Sequence, residues 1–210
     1  MQRGRVLSLK NFKAIEYFRR NYILFIILFF LLVGIFFGVF RFDDTKNLEN
    51  IFKAYIEDYI LSRTNGSFGK AFLSVLLSSF SVLFLLFLLG GSLFGVVTLP
   101  IAMFVKGFFQ GGVAAYMYSQ YGLKGIAFNA VIYIPSTILF LIIMLLASGE
   151  SVKFSFKISN LTLSRAMPQN LSTEFKDYSA KFIIFAVLTV VSSLIDAAIT
   201  TGLIKNFSFV

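Results

Sequence analysis

Residues 71–105 read AFLSVLLSSFSVLFLLFLLGGSLFGVVTLPIAMFV and contain no charged side chain. A single helix over this stretch would be about 52 Å long at 1.5 Å per residue, well beyond the roughly 30 Å of a bilayer's hydrocarbon core. Paired glycines weaken a helix, so Gly90 and Gly91 mark the place where the chain turns back. The sequence therefore predicts two membrane spans, Ala71–Leu89 and a second over 93–120.

The composition of the whole chain points to the same class of protein. Of 210 residues, 58% are hydrophobic and 14% are charged, whereas soluble domains are about 45–50% apolar and 25% charged. A water-soluble fold and a disordered chain are both excluded. The chain has no cysteine and no histidine, which removes the commonest nucleophiles and metal ligands. We expect no metal and no cofactor.

Three further apolar stretches complete the predicted bundle. They are Tyr22–Phe40, Ile126–Ala147 and Phe182–Leu203, and each matches the roughly 20 residues that a crossing helix needs. Pro100 and Pro135 fall inside spans and are predicted to break them. The predicted fold class is an all-α integral membrane protein, a bundle of about five transmembrane helices, some broken by glycine or proline.

Charges outside the spans set the expected domains and orientation. Residues 1–21 form a basic cytoplasmic segment, 22–203 a single transmembrane domain, and 204–210 a C-terminal tail. With five spans and the N-terminus inside, eleven Lys and Arg fall on the cytoplasmic side and seven on the other, as the positive-inside rule favours. A re-entrant third span would leave four crossings. The net charge of +9 then indicates membrane lipids as partners and no nucleic acid.

The loop after the first span contains an amphipathic helix near residues 48–62, whose apolar side chains recur at helical spacing. The candidates for a partner-binding face are Ile51, Phe52, Tyr55 and Tyr59. Two interpretations stay open. The helix rests on the membrane surface or packs over the bundle, or it presents this face to a partner outside the cytoplasm.

A basic loop is predicted over 149–181, and it contains a run of strict alternation. In residues 152–158, VKFSFKI, apolar and polar side chains alternate, which is the period of a β-strand. We expect a short strand or an extended segment on the lipid headgroups, with chance alternation in a phenylalanine-rich chain as the alternative.

Glycines four residues apart indicate where helices approach closely. Gly34 and Gly38 lie in the first span, and Gly107 and Gly111 lie in the third. We expect these pairs to pack helices within one bundle or to join copies of the chain in a homo-oligomer.

Two charges stand inside predicted spans, Lys106 and Asp196. A charge at mid-bilayer costs about 2.5–3.5 kcal/mol on insertion scales, so it faces protein or water and finds a partner. Both spans run in the same direction, which places the two residues at similar depth and predicts an ion pair between them. The alternatives are a snorkelling Lys106 and a role in moving a proton, ion or solute.

Catalytic motifs are missing from the sequence. It contains no phosphate-binding glycine loop ending in Lys-Ser or Lys-Thr, no Gly-x-Ser-x-Gly elbow and no histidine base. We therefore expect no catalytic residue and no enzyme.

The run LLGGSLFGVVTLPIAMFVKGFFQGGVAAYMYSQYGLKGIAFNAVIYIP over 88–135 resembles the stage II sporulation protein M family. The features that carry the resemblance are Leu99-Pro100, Lys106-Gly107, Gly111-Gly112, Gly122-Leu123-Lys124-Gly125 and Pro135. One feature departs from the family. Many members have a Pro-His-Gly-x-x-Glu box, where this chain has Pro135-Ser136-Thr137 and, in place of the glutamate, Phe140.

The resemblance implies a polytopic protein of the plasma (inner) membrane that anchors peptidoglycan-remodelling partners. Our first hypothesis is accordingly a non-enzymatic scaffold that recruits cell-envelope proteins. The alternative is a small permease or channel-like subunit built around Lys106 and Asp196. A water-filled cavity that reaches Lys106 would favour the alternative, and a dry, closely packed Lys106 would favour the scaffold.

Overall fold

The computed structural model describes residues 3–41, 46–64, 67–164 and 171–204. In these ranges the chain is helical and contains no strand. The helices are α1 (Arg3–Phe40), α2 (Lys46–Thr64), α3 (Phe68–Gly90), α4 (Gly95–Tyr121), α5 (Leu123–Phe128), α6 (Ile134–Ser164) and α7 (Leu171–Leu203). A π-helical turn, Asn129–Tyr133, connects α5 to α6.

Five stretches of the described chain are helical, long and apolar enough to cross a membrane. They are Asn21–Phe40, Phe68–Gly90, Gly95–Tyr121, Leu123–Thr162 and Leu171–Leu203. The predicted fold class, an all-α polytopic membrane protein, is confirmed. The third stretch is one continuous helix of 27 residues, or about 40 Å, which is long enough for a full crossing.

The N-terminal and C-terminal segments continue the outer spans. α1 begins at Arg3 and bends at Asn21, whose φ of −116° and ψ of 18° are not helical. This bend falls at the boundary predicted between the basic segment and the first span. Of the predicted tail 204–210, only Ile204 lies within the described residues, and it is buried.

α1 packs along α4, and the two helices run in the same direction. A Cβ added at Gly34 would overlap the Phe104 carbonyl oxygen, and one added at Gly111 would overlap the carbonyl oxygen of Ile35. Gly38 and Gly107 are equally close to the facing backbone. The four glycines that the sequence singled out for helix packing therefore let two backbones touch, as small residues do in membrane bundles.

The prolines do not interrupt their helices as predicted. Pro100 is the sixth residue of α4, and the helix continues through it, because proline removes only the one hydrogen bond that its missing N–H would donate. Pro135 is the second residue of α6 and follows the π-helical turn directly. The widened turn accommodates the missing donor. The chain turns back instead between Gly90, the last residue of α3, and Gly95, the first of α4.

The basic loop predicted over 149–181 is helical for most of its length. α6 continues to Ser164 and α7 begins at Leu171, so the strand or extended segment predicted over 152–158 is wrong. The alternation arises because phenylalanine is abundant in the chain. Salt bridges between the two helices join Glu150 to Lys181 and also link Lys157 to Glu174.

Serines spaced four residues apart on α6 hold the turn between α3 and α4. They donate hydrogen bonds to backbone carbonyl oxygens, Ser151 to Leu86 (3.0 Å), Ser155 to Ser92 (2.6 Å) and Ser159 to Leu93 (3.0 Å). In this segment the four-residue spacing of the serines indicates the helix, whereas the alternation of apolar residues does not.

α2 lies across the end of the bundle at which α4 and α7 finish, hereafter the α2 end. Phe52, Ile56 and Tyr59 are buried in a cluster with residues of α4, α5, the π-helical turn and Ile204. The predicted partner face is therefore split. Phe52 and Tyr59 belong to the core, while Ile51 and Tyr55 remain 49% and 41% exposed.

Candidate functional site

A polar cavity of about 220 Å³ lies among α2, α3, α4, α6 and α7. Its charged lining residues are Asp58, Arg63, Lys106 and Asp196. Its hydroxyl-bearing lining residues are Tyr55, Tyr59, Ser74, Ser78, Ser79, Ser136, Thr137 and Ser192. Such a lining is unusual for the interior of a membrane bundle, where polar groups are costly and mark functional pathways.

An ion pair between α2 and α7 forms one wall of the cavity. The Arg63 Nη2 lies 3.6 Å from the Asp196 Oδ2, and both side chains are 8% exposed. The second carboxylate oxygen, Oδ1, is buried and has no hydrogen-bond partner among the described residues. The pair neutralises both charges and leaves one acceptor atom on the cavity side of α7.

Tyr59 fixes the position of the Arg63 guanidinium. The guanidinium carbon lies 3.6 Å from the centroid of the Tyr59 ring, a cation–π arrangement, and Nη1 donates to the Tyr59 carbonyl oxygen at 3.1 Å. The Tyr59 hydroxyl is 3.3 Å from the Ser136 Oγ. Burial raises the pKa of this hydroxyl above its usual value.

The predicted Lys106–Asp196 ion pair is not the one that the structure contains. Lys106 lines the same cavity as Asp196, but within the described part of the chain no carboxylate lies in ion-pair range of its ammonium group. Asp196 pairs with Arg63 because α2 folds inward over the bundle and supplies a nearer cation. Both charges do face the same interior space.

Arg63 is a charged residue of the cavity that the sequence analysis does not single out. It follows the helix predicted near residues 48–62, and it lies four residues after Tyr59 and seven after Ile56. Residues at this spacing share one helix face. Extending the apolar face of α2 by one turn would have placed Arg63 inside the bundle.

Hydrogen bonds join the π-helical turn to α4 beside the cavity. The Tyr133 hydroxyl donates to the Gln110 Oε1 at 3.4 Å, and the Gln110 Nε2 donates to the Thr137 Oγ1 at 3.3 Å. The Thr137 Oγ1 in turn donates to the Tyr133 carbonyl oxygen at 2.7 Å. Together these three hydrogen bonds orient the polar face of α6 toward α4.

The ammonium group of Lys106 favours an anion. Arg63 and Asp196 pair with each other in the cavity wall, Asp58 is exposed and adds a second negative charge, and Lys106 has no carboxylate in ion-pair range among the described residues. Within the described residues no group of three or more His, Cys, Asp or Glu is placed to hold a metal ion. The arrangement can bind water or a small anionic group.

Five spanning helices, four of which line a charged cavity, with an amphipathic helix across one end, define a polytopic membrane protein. The model of the family described as Stage II sporulation protein M matches residues 26–201, which include every residue that lines the cavity. The chain belongs to the stage II sporulation protein M family, as its resemblance indicated. No curated protein and no solved structure matches it.

The departure from the family's Pro-His-Gly-x-x-Glu box falls on the cavity wall. Ser136, Thr137 and Phe140 occupy the positions of the box's histidine, glycine and glutamate, and all three line the cavity.

Proposed function

We propose that the charged cavity is where this protein acts, as a non-enzymatic, permease-like subunit that admits a ligand with a small polar or anionic group. The observation that carries the proposal is that the cavity reaches Lys106. Lys106 lies about 16 Å along α4 from Gly95, in a helix about 40 Å long. A polar space at this depth is what a solute path requires.

The energetics of burial support this role over a purely structural one. If the buried charges only held the helices together, the ion pair between Arg63 and Asp196 would be sufficient. Lys106 adds a third charge at a cost of about 2.5–3.5 kcal/mol on insertion scales. A cost of this size without an intramolecular partner in the described chain indicates a charge kept for a ligand.

The helix geometry beside the cavity also supports it. The π-helical turn Asn129–Tyr133 departs from regular α-helical hydrogen bonding just before Pro135, Ser136 and Thr137. Transporters build their sites at such irregular helices, and π-turns are frequent at functional sites.

The orientation belongs to the proposal. We place the protein in the plasma membrane with its N-terminus in the cytoplasm, because this topology collects most Lys and Arg inside. The α2 end, and with it the rim of the cavity, then faces away from the cytoplasm.

Thiol labelling tests the proposal directly, because the natural chain contains no cysteine. Ser78→Cys and Ser192→Cys place single thiols on the cavity wall. In intact cells we expect a charged, membrane-impermeant thiol reagent to label both variants. The matched control is Ser81→Cys, on the same helix as Ser78, exposed on the bundle surface and outside the cavity lining.

The outcomes separate the possibilities. Labelling of Ser78→Cys and Ser192→Cys but not Ser81→Cys supports a water-filled cavity open to the outside. Labelling only in inverted vesicles would show that the cavity opens to the cytoplasm and that the orientation is opposite to the proposed one. Absence of labelling at both cavity positions in both preparations contradicts the permease-like role.

A scaffold that recruits cell-envelope, peptidoglycan-remodelling partners is the second candidate function. Family membership supports it, together with the exposed strip of α2. Ile51 and Tyr55 are apolar or aromatic and exposed, while their neighbour Phe52 anchors the helix. A helix that is anchored on one face and has an exposed apolar strip on another suits the docking of another protein.

Site-specific crosslinking tests this second function. A photoreactive amino acid at Ile51 is expected to capture a wall-remodelling enzyme in cells, and the same group at Leu77, exposed on α3, is expected to capture none. Identical products at both positions, or products containing only copies of this chain, would argue against the scaffold.

A further inference from the structure

A second, apolar cleft separates α3 from α4. Its volume is about 370 Å³. Leu85, Val105 and Phe109 line the cleft and are 51%, 46% and 41% exposed, so they form its mouth on the surface of the bundle. Leu86 and Met144 are buried and form its floor. In a membrane, this mouth faces lipid chains.

The cleft exists because consecutive helices are not close neighbours here. α3 packs mainly on α6 and α7, whereas α4 packs mainly on α1. The connection between α3 and α4 is short and is held tightly by the serines of α6, so the two helices separate with distance from it.

Lys106 joins the cleft to the polar cavity. Its side chain lines both spaces, and it is half-buried. Tyr55 also lines both, at the α2 end. A charged group at the boundary between an apolar cleft and a polar cavity matches a ligand with an apolar chain and an anionic head.

We infer that the protein binds a membrane lipid whose anionic phosphate head lies in the polar cavity at Lys106 and whose apolar chain lies in the cleft between α3 and α4. The inference rests on the proposed ligand-binding role of the cavity and names the ligand class. Arg63 is paired with Asp196, so the ammonium group of Lys106 is the cation that complements a phosphate charge, and lysine ammonium groups are common phosphate ligands.

The cleft favours a lipid over a free anion. A water-soluble phosphate would use only the polar cavity and would leave an apolar space of about 370 Å³ without a function. Binding sites are mostly apolar with a few convergent polar groups, and the two spaces together have this composition. A lipid would enter sideways through the mouth at Val105.

Binding to the purified full-length chain in detergent tests the inference. The probes are a short-chain phosphatidylglycerol, the corresponding zwitterionic phosphatidylcholine, and inorganic phosphate, followed by native mass spectrometry and by the thermal unfolding midpoint. We expect the phosphatidylglycerol to bind most tightly and to raise the midpoint. Lys106→Met should weaken its affinity by at least about tenfold, the effect of losing one charge-assisted hydrogen bond. Lys106→Arg should retain most of it.

Two further variants keep the test decisive if Lys106→Met folds poorly. Lys124→Met removes an exposed lysine on α5 and should leave lipid binding unchanged. Val105→Trp fills the mouth without altering charge and should reduce lipid binding as strongly as Lys106→Met. Unchanged binding in Val105→Trp, equal affinity in Lys106→Met, or equal affinity for inorganic phosphate and phosphatidylglycerol would each overturn the inference.

The outcomes also distinguish this inference from the proposed function. If Ser192→Cys is labelled from water but lipid binding does not depend on Lys106 or Val105, the proposed function is supported and the lipid-binding inference is wrong. If neither Ser78→Cys nor Ser192→Cys is labelled, the proposed function fails by its own measurement.

Discussion

The Arg63 Nη2 lies 3.6 Å from the Asp196 Oδ2, and this contact joins the last turn of α2 to α7 inside the bundle. Arg63 also covers the ring of Tyr59, and Tyr59 contacts Ser136 on α6 through its hydroxyl. One arginine from an amphipathic helix therefore connects three elements of the bundle. Arg63 also neutralises the Asp196 carboxylate in the wall of the cavity that Lys106 lines.

The first prediction concerns this ion pair. Arg63→Met leaves a buried carboxylate and should destabilise the protein by about 3–5 kcal/mol. Asp196→Asn alone should also destabilise, but the double variant should lose less than the sum of the two, because neither buried charge then remains uncompensated. Thermal unfolding in detergent provides the measurement, and a coupling energy near zero would show that the pair contributes nothing.

The control for this cycle is Lys106→Met combined with Asp196→Asn. Because Lys106 is not the partner of Asp196, the two losses should add within about 0.5 kcal/mol. Strong coupling in this second cycle and none in the first would restore the pairing that the sequence suggested.

The second prediction separates the two faces of α2. The Phe52 side chain is 1% exposed and packs with Phe108 and Phe109 at ring-centroid distances of 6.3 and 5.8 Å. Phe52→Ala should cost about 3–5 kcal/mol, as for other buried phenylalanines. Ile51→Ala, on the exposed face, should change stability by less than about 0.5 kcal/mol. Equal losses in the two variants would contradict the packing of α2 described above.

The third prediction concerns the contact of α1 with α4. Gly111→Ala should destabilise the protein by about 1–3 kcal/mol, because the added methyl group overlaps the backbone of Ile35 and forces the helices apart. A Cβ at Gly69 would have no neighbour within 4 Å. Gly69→Ala should therefore be neutral or stabilise α3 by up to about 1 kcal/mol. Unfolding midpoints of the two variants that shift in the same direction would refute this account.

The fourth prediction tests the hydrogen bonds of Tyr178. Its hydroxyl donates to the Phe87 carbonyl oxygen at 2.9 Å and lies 3.0 Å from the Ser151 Oγ. Tyr178→Phe keeps the ring stacked on Phe154 and removes these bonds, so stability should fall by about 1–3 kcal/mol. Tyr118→Phe, at a side chain that is 60% exposed, should have no measurable effect. Equal unfolding midpoints for Tyr178→Phe and Tyr118→Phe would mean that the hydroxyl of Tyr178 does not contribute to stability.

Much of the fold follows from the sequence, because crossing a bilayer requires long apolar helices. The five spans and the turn after Gly90 could be placed from composition and glycine content alone. The helix over 152–158 could not be predicted in this way, because the alternation of apolar and polar residues favours a strand. In the structure, Ser155 in this helix donates a hydrogen bond to the Ser92 carbonyl oxygen, a tertiary interaction that the alternation does not reveal.

The site was predictable only in part. Charges within apolar spans identified Lys106 and Asp196, and both line the cavity. The true partner of Asp196 could not be assigned by comparing depths of spans, because Arg63 comes from a helix that folds inward from outside the five spans. The sequence does not predict the π-helical turn itself, although Pro135, which it singles out, lies two residues after that turn.

The glycine contact between α1 and α4 has a consequence for how the chain enters the membrane. Of the five spans, the one in α1 is the most apolar and α4 is the least, and α4 also contains Lys106. Because α1 precedes α4 in the chain and is more apolar, we expect it to enter the bilayer without a neighbour. We expect α4 to insert against it, with Gly107 and Gly111 bringing the two backbones into contact. In this order of events the first helix is the insertion template for the least apolar of the five spans.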